Sequence, residues 1–350
     1  MAAALVWVAA AAAAPGTADD KRLAVPFVID ATRSDPARPT RPLGESYKGP
    51  IFDTHTHMFR VHDLDMVSEA MTLARVDRLV LLPTPNSGRA PFTSTILDQM
   101  DALRRKTNGA IAVLCGSDYL TPWMQSAAEL GSVPDDIDSQ MARLARDLKS
   151  GACAGVGEIG FRHYDKTGQQ LAIDLPAGYP PLLAIAETAA QANAPLDLHA
   201  EPVEPRGARH DAEVFGTLGA MFARSPNLRL IASHTAMTNA RNARALLAAF
   251  PTLTMNVNFG KHASSTDWRN LEGVTDDRRQ LYADWAALFE DMPDRFMVGT
   301  DFFFGRGGDV PKEYERRIRH VRRVLGSLDP AAARRIAFEN AARVFGRQPR

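Results

Sequence analysis

The sequence predicts an α/β fold of the (β/α)8 TIM-barrel class, and three observations support this prediction. Short apolar runs bounded by turn residues recur eight times between residues 50 and 302. Segments with the apolar spacing of amphipathic helices lie between most of these runs. Eight alternating units in about 300 residues match the size of a closed barrel with a parallel sheet covered by helices.

The eight predicted strands carry polar residues at their carboxyl ends. In chain order they read PIFDTHTH, VDRLVLLP, AIAVLCGSD, ACAGVGEIGF, APLDLHAE, LRLIASH, TLTMNVNF and FMVGTDF. Helical spacing is found in the intervening segments Asp63–Ala74, Ile137–Leu148, Leu182–Ala192 and Ala240–Phe250. The carboxyl ends of barrel strands form the face that bears the active site, so we expect the polar ends to meet there.

The first strand, in the stretch FDTHTH, holds two of the nine histidines, His55 and His57. Side chains at positions i and i+2 of a strand project to the same face, so both imidazoles converge on one point. A metal ion at the barrel axis that takes two ligands from one strand explains this spacing.

Four other strands end in side chains suited to the same ion: Glu158 in the fourth, His199 in the fifth, His234 in the sixth and Asp301 in the eighth. Four imidazoles and two carboxylates suit zinc, with manganese or magnesium as alternatives, and they permit one ion or two. Taken singly, Glu158 could hold a loop and Asp301 could cap the next helix. Their joint placement at one edge of the strands favours a metal site.

The composition limits the expected partners. The chain has 41 basic and 41 acidic residues, so it lacks the net positive charge that nucleic-acid binding favours. Hydrophobic residues make up 45% of the sequence, which is typical of a globular protein. A small-molecule substrate is therefore expected and nucleic acid is not, and the sequence is compatible with a homo-oligomer.

The N-terminal region predicts export. Residues 1–20 combine an alanine-rich apolar run with small residues, which resembles a signal peptide, although no Lys or Arg precedes the run. The mature protein would then be periplasmic or secreted without a membrane span, whereas an alanine-rich extension would leave it cytoplasmic. Residues 21–49 are predicted to be an arm or linker, and residues 50–350 the barrel. Cys115 and Cys153 lie in separate apolar segments and are expected to be buried free thiols.

The motifs FDTHTH, GEIGF, LDLHAE, IASH and GTDF, in this order, resemble the amidohydrolase superfamily of metal-dependent hydrolases. GEIG is similar to its TatD-like branch, and the tail ENAARVFG resembles the closing helix of TatD-type and amidohydrolase-related proteins. The resemblance covers residues 50–347. It implies that one ion is held by His55, His57 and Asp301, a second by His199 and His234, and that Glu158 bridges them.

Two departures from TatD-like nucleases make a phosphodiester substrate less expected. Gly299 stands where their last strand has an acidic residue, and Glu201 stands where they carry a basic residue after the fifth-strand histidine. The stretches IASHTA and FPTLTMNVNF instead resemble the amidohydrolase-related branch, which contains lactone hydrolases and single-metal decarboxylases. The resemblance thus implies a hydrolase of a small ester, lactone, amide or phosphoester, with a nonoxidative decarboxylase or a TatD-like nuclease as alternatives.

Roles can be assigned within this expected site. Because a divalent ion lowers the pKa of bound water, Asp301 is the candidate general base that orients this water and accepts its proton. His234 is expected to be a ligand or, with a single ion, an electrophilic donor to the substrate oxygen. Substrate contacts are expected from His163, near Glu158, and from Lys261 and Arg306 in loops that follow strands.

Several other side chains near the strand ends have two interpretations. Arg206 and Arg209 either clamp a substrate anion or lie in a solvated loop. The run Phe302–Phe304 either walls an apolar pocket or packs on a helix, and Asn258 lies close to Lys261. The remaining histidines are expected to be solvated: His62, His210, His262 and His320.

Overall fold

The strands of the barrel sheet lie in the eight apolar runs that the sequence predicts as strands. The computed structural model describes residues 29–32, 34–35, 37–58, 64–83, 106–164, 172–204, 207–260, 273–304 and 308–346. The first seven barrel strands are Phe52–Met58, Arg78–Leu82, Ile111–Gly116, Gly155–His163, Pro195–Ala200, Arg229–Ala232 and Thr254–Val257. The eighth barrel strand consists of two pieces, Phe296–Val298 and Phe302–Phe304.

Consecutive barrel strands pair in parallel around the sheet. The first piece of the eighth strand pairs with the seventh strand, with Phe296 opposite Met255. Its second piece pairs with the first strand, with Phe303 opposite His57. Because both pieces belong to one short stretch of chain, the eighth strand joins the seventh to the first and closes the sheet. The predicted TIM-barrel fold is confirmed.

The eighth strand is interrupted at a position where only glycine fits. A Cβ atom built on Gly299 would lie 2.8 Å from Asn256 Cβ and 2.9 Å from His55 Cβ, closer than real side chains approach. Two residues later, Asp301 has a positive φ of 55°. The prediction of one continuous strand, FMVGTDF, is therefore wrong at this point, because the chain leaves the strand conformation where the aspartate lies.

Helices surround the sheet between its strands. Their bounds are Leu64–Ala74, Ser117–Glu129, Ile137–Ser150, Pro180–Gln191, Asp211–Arg224, Ala240–Ala249, Ala283–Asp291, Val310–Leu325, Pro330–Arg334 and Asn340–Phe345, with short turns of other helix types at Ser233–Met237, Pro293–Arg295 and Arg335–Glu339. The four helices expected from apolar spacing are present, and their ends differ from the predicted ends by at most two residues. Within the described part of the chain, every helix is too short or too polar to cross a lipid bilayer.

The amino-terminal end of the barrel is closed by apolar side chains. The ring of Phe52, at the start of the first strand, lies 6.1 Å from the ring of Phe338 and 5.8 Å from that of Phe345. These rings form one buried cluster with side chains from other strands, including Val80 and Met297. Since this end is packed with apolar groups, the carboxyl end is the one that can present polar chemistry.

The chain segment before the barrel is attached to its outer surface. Thr40–Arg41 pairs in antiparallel fashion with Leu281–Tyr282. The Arg41 guanidinium donates to both carboxylate oxygens of Glu290, at 2.5 and 2.7 Å. The predicted signal peptide, residues 1–20, lies outside the described residues, and the proposed limits of the arm stay a prediction.

The two cysteines form a disulfide, so the expectation of free thiols is wrong. Cys115 lies near the end of the third barrel strand, and Cys153 lies two residues before the start of the fourth. Pairing of these strands brings the two Cα atoms to 5.7 Å, although 38 residues separate them in sequence. Sequence spacing cannot reveal this bridge, because the register of two neighbouring strands creates it.

Replacing both cysteines with serine should lower the free energy of unfolding by about 2–4 kcal/mol, because the bridge restricts the unfolded chain. Urea denaturation without reductant would measure the difference. Wild-type protein treated with a thiol reductant should unfold at the midpoint of the variant. Equal midpoints for oxidised wild type and the variant would show that the bridge contributes nothing to stability.

Candidate metal centre

Six side chains from five barrel strands face one another at the carboxyl end of the barrel. His55 Nε2 lies 3.1 Å from His57 Nε2, and His57 Nε2 lies 3.4 Å from Asp301 Oδ1. His55 and His57 are fully buried, whereas the Asp301 side chain is 14% exposed and is the most accessible of the six. The structure thus brings together every residue that the sequence suggested as a ligand: His55, His57, Glu158, His199, His234 and Asp301.

The Glu158 carboxylate lies between the histidines. Its Oε1 atom is 2.6 Å from His199 Nδ1, 3.5 Å from His55 Nε2 and 3.6 Å from His234 Nε2. Its Oε2 atom is 3.5 Å from His57 Nε2. One carboxylate thus approaches all four imidazoles.

Backbone contacts fix His234 and Asp301, whose side chains approach each other to 3.7 Å between Nε2 and Oδ2. The His234 amide donates to Asn256 Oδ1 at 2.7 Å, and the Asp301 amide donates to the His55 carbonyl at 2.8 Å. Both residues have positive φ angles, 53° and 55°, which are uncommon for non-glycine residues and are often kept at functional sites. Asp301 does not cap the following helix, since the capping side chain is Asp309.

Contacts between ionisable side chains outweigh the effect of burial on the pKa values of Glu158, His199 and His55. Burial raises the pKa of Glu158, but the charges of His55 and His199 bring it well below its usual range. Burial lowers the pKa of His199, but Glu158 and Glu201 raise it to about 9. The pKa of His55 is raised well above its ordinary value, because Glu158 and Asp197 outweigh its burial. The centre therefore keeps the Glu158 carboxylate ionised.

The chemistry of these donors fits a divalent metal ion. His57 Nδ1 lies 3.1 Å from the Leu82 carbonyl, to which its proton can be donated, so that Nε2 offers a lone pair to the centre. The lone pairs of His57 Nε2, its neighbour His55 Nε2 and the nearby carboxylates repel unless a proton or a cation lies between them. Among the described residues, four groups have ligand atoms that all lie within 4.8 Å of one another: His55, His57 and Glu158; His55, His234 and Asp301; Glu158, His199 and His234; and His163, His199 and Glu201.

A buried polar layer lies behind the six side chains, and sequence reasoning missed it. Asp197 Oδ2 lies 3.4 Å from His55 Nδ1 and accepts a hydrogen bond from Asn256 Nδ2 at 3.0 Å. The Ser233 hydroxyl donates to the other oxygen of Asp197. The signal was present in LDLHAE, where Asp197, His199 and Glu201 alternate and so face the same side of the fifth strand.

Asp53 in the first strand holds the chain next to Asp301. Its fully buried carboxylate accepts hydrogen bonds from the Thr300 amide at 2.9 Å, the Thr300 hydroxyl at 2.6 Å and the Tyr314 hydroxyl at 2.9 Å. Burial raises the pKa of Asp53, and these bonds act in the opposite direction. Because Thr300 directly precedes Asp301, the network positions the aspartate from behind.

Asp53→Ala should lower the free energy of unfolding by at least about 2 kcal/mol, because buried donors on Thr300 and Tyr314 lose their acceptor. Tyr314→Phe, which removes one of these bonds, should lower it by about 1 kcal/mol. Urea denaturation of both variants tests the difference. A similar loss in the two variants would contradict the central place of Asp53 in this network.

The residues expected to contact substrate have different placements. His163 lies at the edge of the centre, with Nδ1 2.7 Å from Glu201 Oε1 and 3.2 Å from His199 Nε2. Arg209 donates two hydrogen bonds to Asp211, at 2.8 and 2.9 Å. The other predicted cations and two of the predicted solvated histidines lie outside the described residues: Lys261, Arg306, Arg206, His62 and His262.

Two further expectations concern rings near this end of the barrel. Phe303 stacks on His57 with ring centroids 4.5 Å apart, while Phe302 and Phe304 contact Tyr314 of the helix Val310–Leu325. Phe302 and Phe304 therefore pack on a helix, as one interpretation expected, whereas a pocket wall stays a prediction for Phe303. His320 is not fully solvated as predicted, because it is half-buried and its Nε2 lies 3.1 Å from the Phe259 carbonyl.

Asn258 and His210 lie near the mouth of the barrel but are not part of the centre. Asn258, which follows the seventh strand, accepts from the Gly260 amide at 3.0 Å and from Arg317 at 3.4 Å. His210 Nε2 lies 2.8 Å from Glu204 Oε1 in the segment after the fifth strand. These contacts support the loops that surround the six side chains.

The fold and the site define a TIM barrel with a histidine and carboxylate centre at the carboxyl ends of its strands. The amidohydrolase family model matches residues 53–347, which is nearly the whole barrel. The chain belongs to the amidohydrolase family. No curated protein sequence matches the chain.

Solved structures share the fold at low sequence identity. An uncharacterized TIM-barrel protein from Bordetella bronchiseptica is 12% identical with a TM-score of 0.52, over 85% of this chain and 99% of that protein. An amidohydrolase candidate from Staphylococcus aureus is 11% identical with a TM-score of 0.53, over 85% and 100%. The dihydroorotase from Saccharomyces cerevisiae, solved with 5-fluoroorotic acid, is 12% identical with a TM-score of 0.52, over 87% and 85%.

Proposed function

We propose that this protein is a metal-dependent hydrolase that cleaves a small-molecule ester, lactone, amide or phosphoester with an activated water. The observation that carries the proposal is the convergence of four imidazoles and two carboxylates at the one polar end of the barrel. Zinc is the expected ion, because nitrogen-rich donor sets favour it, and manganese or magnesium are the alternatives.

The side chains divide into two sets that could hold one ion or two. His55, His57 and Asp301 would hold the first ion, and His199 with His234 the second. Glu158 would contribute to both, since its two oxygens face different histidines. A bound divalent ion would activate water and polarise the group under attack.

Asp301 is the residue best placed to move protons in this reaction. Its carboxylate is the most exposed of the six side chains, so it can reach both a water molecule and a substrate at the mouth. We assign it the role of general base, which accepts the proton of the attacking water and passes it to the leaving group. His234 would act as a ligand or, with a single ion, donate to the substrate oxygen.

Substrate recognition would come from the rim of the barrel. His163 is one candidate, because it lies beside Glu201 at the edge of the centre. Lys261 and Arg306 are the others, since they follow the seventh and eighth strands in the sequence and their positive charges would suit an anionic substrate. A small anionic or polar molecule is therefore the substrate class to test first.

A TatD-like nuclease activity is the less favoured branch. Glu201 follows the fifth-strand histidine and contacts both His163 and His199, so a negative charge stands near the expected path of a phosphodiester. The chain also has no net positive charge to attract nucleic acid. These two features support a small molecule over a polynucleotide.

Export through a cleaved N-terminal signal is part of the proposal. The Cys115–Cys153 disulfide supports it, because such bridges form and persist in oxidising compartments. Cell fractionation followed by N-terminal sequencing would test it. Recovery of the full chain, starting at Met1, from the cytoplasm would contradict it.

A substrate screen on metal-loaded protein tests the proposed reaction. The protein should retain one or two divalent ions per chain and hydrolyse at least one ester, lactone, amide or phosphoester, with activity lost on chelation and restored by zinc. Aromatic acids belong in the same screen. Release of carbon dioxide from such an acid, with no hydrolysis of any other compound, would replace the hydrolase proposal with the decarboxylase alternative.

A further inference from the structure

Two buried acids lie on either side of His199 at the end of the fifth barrel strand. Asp197 and His199 belong to the strand and Glu201 directly follows its last residue, so the three alternate along the chain and face the centre. Asp197 is fully buried and Glu201 is 2% exposed. Buried carboxylates are rare without specific partners, and here the partners include the rings of two expected ligands.

Asp197 approaches the first of these rings from behind. Its Oδ2 atom is 3.4 Å from His55 Nδ1, on the side of the ring opposite the centre. Asn256 Nδ2 lies 3.0 Å from the same ring nitrogen and could donate to it. That bond would place the His55 proton on Nε2 and remove the lone pair a metal needs. The Asp197 charge favours the other tautomer, with the proton on Nδ1.

Glu201 approaches the second ring in the same way. Its Oε1 atom lies 3.0 Å from His199 Nε2, while His199 Nδ1 faces Glu158 at 2.6 Å. His163 Nδ1 donates to the same Oε1 atom across 2.7 Å, which holds the carboxylate in place. Glu201 therefore favours a proton on Nε2 of His199, so that Nδ1 is the nitrogen that would give up its proton and bind an ion.

We propose that Asp197 and Glu201 are positioning residues, each of which fixes the tautomer and orientation of one ligand of a different ion: Asp197 for the His55 ion and Glu201 for the His199 ion. The inference rests on the proposed metal centre. Carboxylates behind metal-bound histidines raise their basicity, and removing one typically weakens metal binding by about 10- to 100-fold. The two acids would thereby set the affinity for each ion independently.

Conservative amide variants test this inference through ion binding. In Asp197→Asn, the amide can keep its oxygen toward Asn256 and donate to Ser233, whose hydroxyl can rotate, so that mainly the charge is lost. Apo protein would be titrated with zinc in competition with a chelating dye, and bound zinc would be counted after dialysis. Asp197→Asn and Glu201→Gln should each lower the affinity for one zinc ion by about 10-fold or more.

Two matched variants on the segment after the fifth strand serve as controls. Glu204→Gln removes a carboxylate paired with His210, at 2.8 Å, and Asp211→Asn removes one paired with Arg209. Both should bind zinc as wild type does. His163→Ala should also keep the zinc count, because His163 contacts Glu201 but is not one of the six proposed ligands. If an ion is instead held by His163, His199 and Glu201, this variant and Glu201→Gln should both lose it, which would overturn the role assigned to Glu201.

Double-mutant cycles assign each acid to its histidine. The effect of Asp197→Asn should disappear in a His55→Ala background and persist in a His199→Ala background, and the reverse should hold for Glu201→Gln. Wild-type affinity in both acid variants, or an equal effect in both backgrounds, would overturn the inference while leaving the metal centre intact. Failure of wild-type protein to bind zinc would instead refute the proposed function itself.

Discussion

Replacing His55 and His57 together with alanine should remove bound metal and reduce kcat/KM by a factor on the order of 10³ or more, since catalysis would lose its ion. The two Nε2 atoms are 3.1 Å apart and belong to one strand, so the double variant takes two adjacent donors from the centre. Elemental analysis of dialysed protein and an assay with the best substrate from the screen would measure both losses.

The control for this variant is His210→Ala. His210 is also near the mouth of the barrel, but its ring contacts Glu204 and not the six central side chains. It should retain metal and activity, and circular dichroism should show that both proteins are folded. Retention of metal and activity by the double variant would refute the assignment of the centre.

Asp301→Asn should reduce kcat by about 10²- to 10⁴-fold, the usual contribution of a general base, with a much smaller change in KM. The amide keeps the shape and an oxygen donor, so the variant should still bind metal, although more weakly. Steady-state kinetics with parallel metal counts would separate loss of proton transfer from loss of the ion.

Asp309→Asn is the matched control for this second variant. Asp309 lies a short way along the same segment and caps the helix Val310–Leu325 by accepting from the Lys312 amide. The control should leave kcat unchanged. If Asp301→Asn had the kcat of wild type at full metal loading, another group would have to be the base.

The sequence contains most of what places the centre. In a parallel barrel the apolar run marks the strand, and the first polar residues after it mark the carboxyl end, so His234 and Asp301 could be located without knowing any contact. The i and i+2 spacing of His55 and His57 gave their shared direction in the same way. These are local patterns, and local patterns survive in a single sequence.

Contacts between distant strands could not be predicted in this way. The partnership of Asp197 with His55 depends on which strands lie across the barrel, and 142 residues separate the two positions. The Cys115–Cys153 bridge depends on strand register, and the break near Gly299 depends on the side chains of Asn256 and His55. In each case a local sequence pattern describes one residue, whereas the interaction depends on which distant residue lies next to it in the fold.

The interrupted eighth strand has a consequence for how the protein should fail under stress. Residues 296–304 join the seventh barrel strand to the first, and the same residues include Asp301. Local unfolding of this interrupted strand needs less free energy than global unfolding of the protein. Mild heat or a low concentration of urea should therefore abolish catalytic activity before most of the secondary structure is lost.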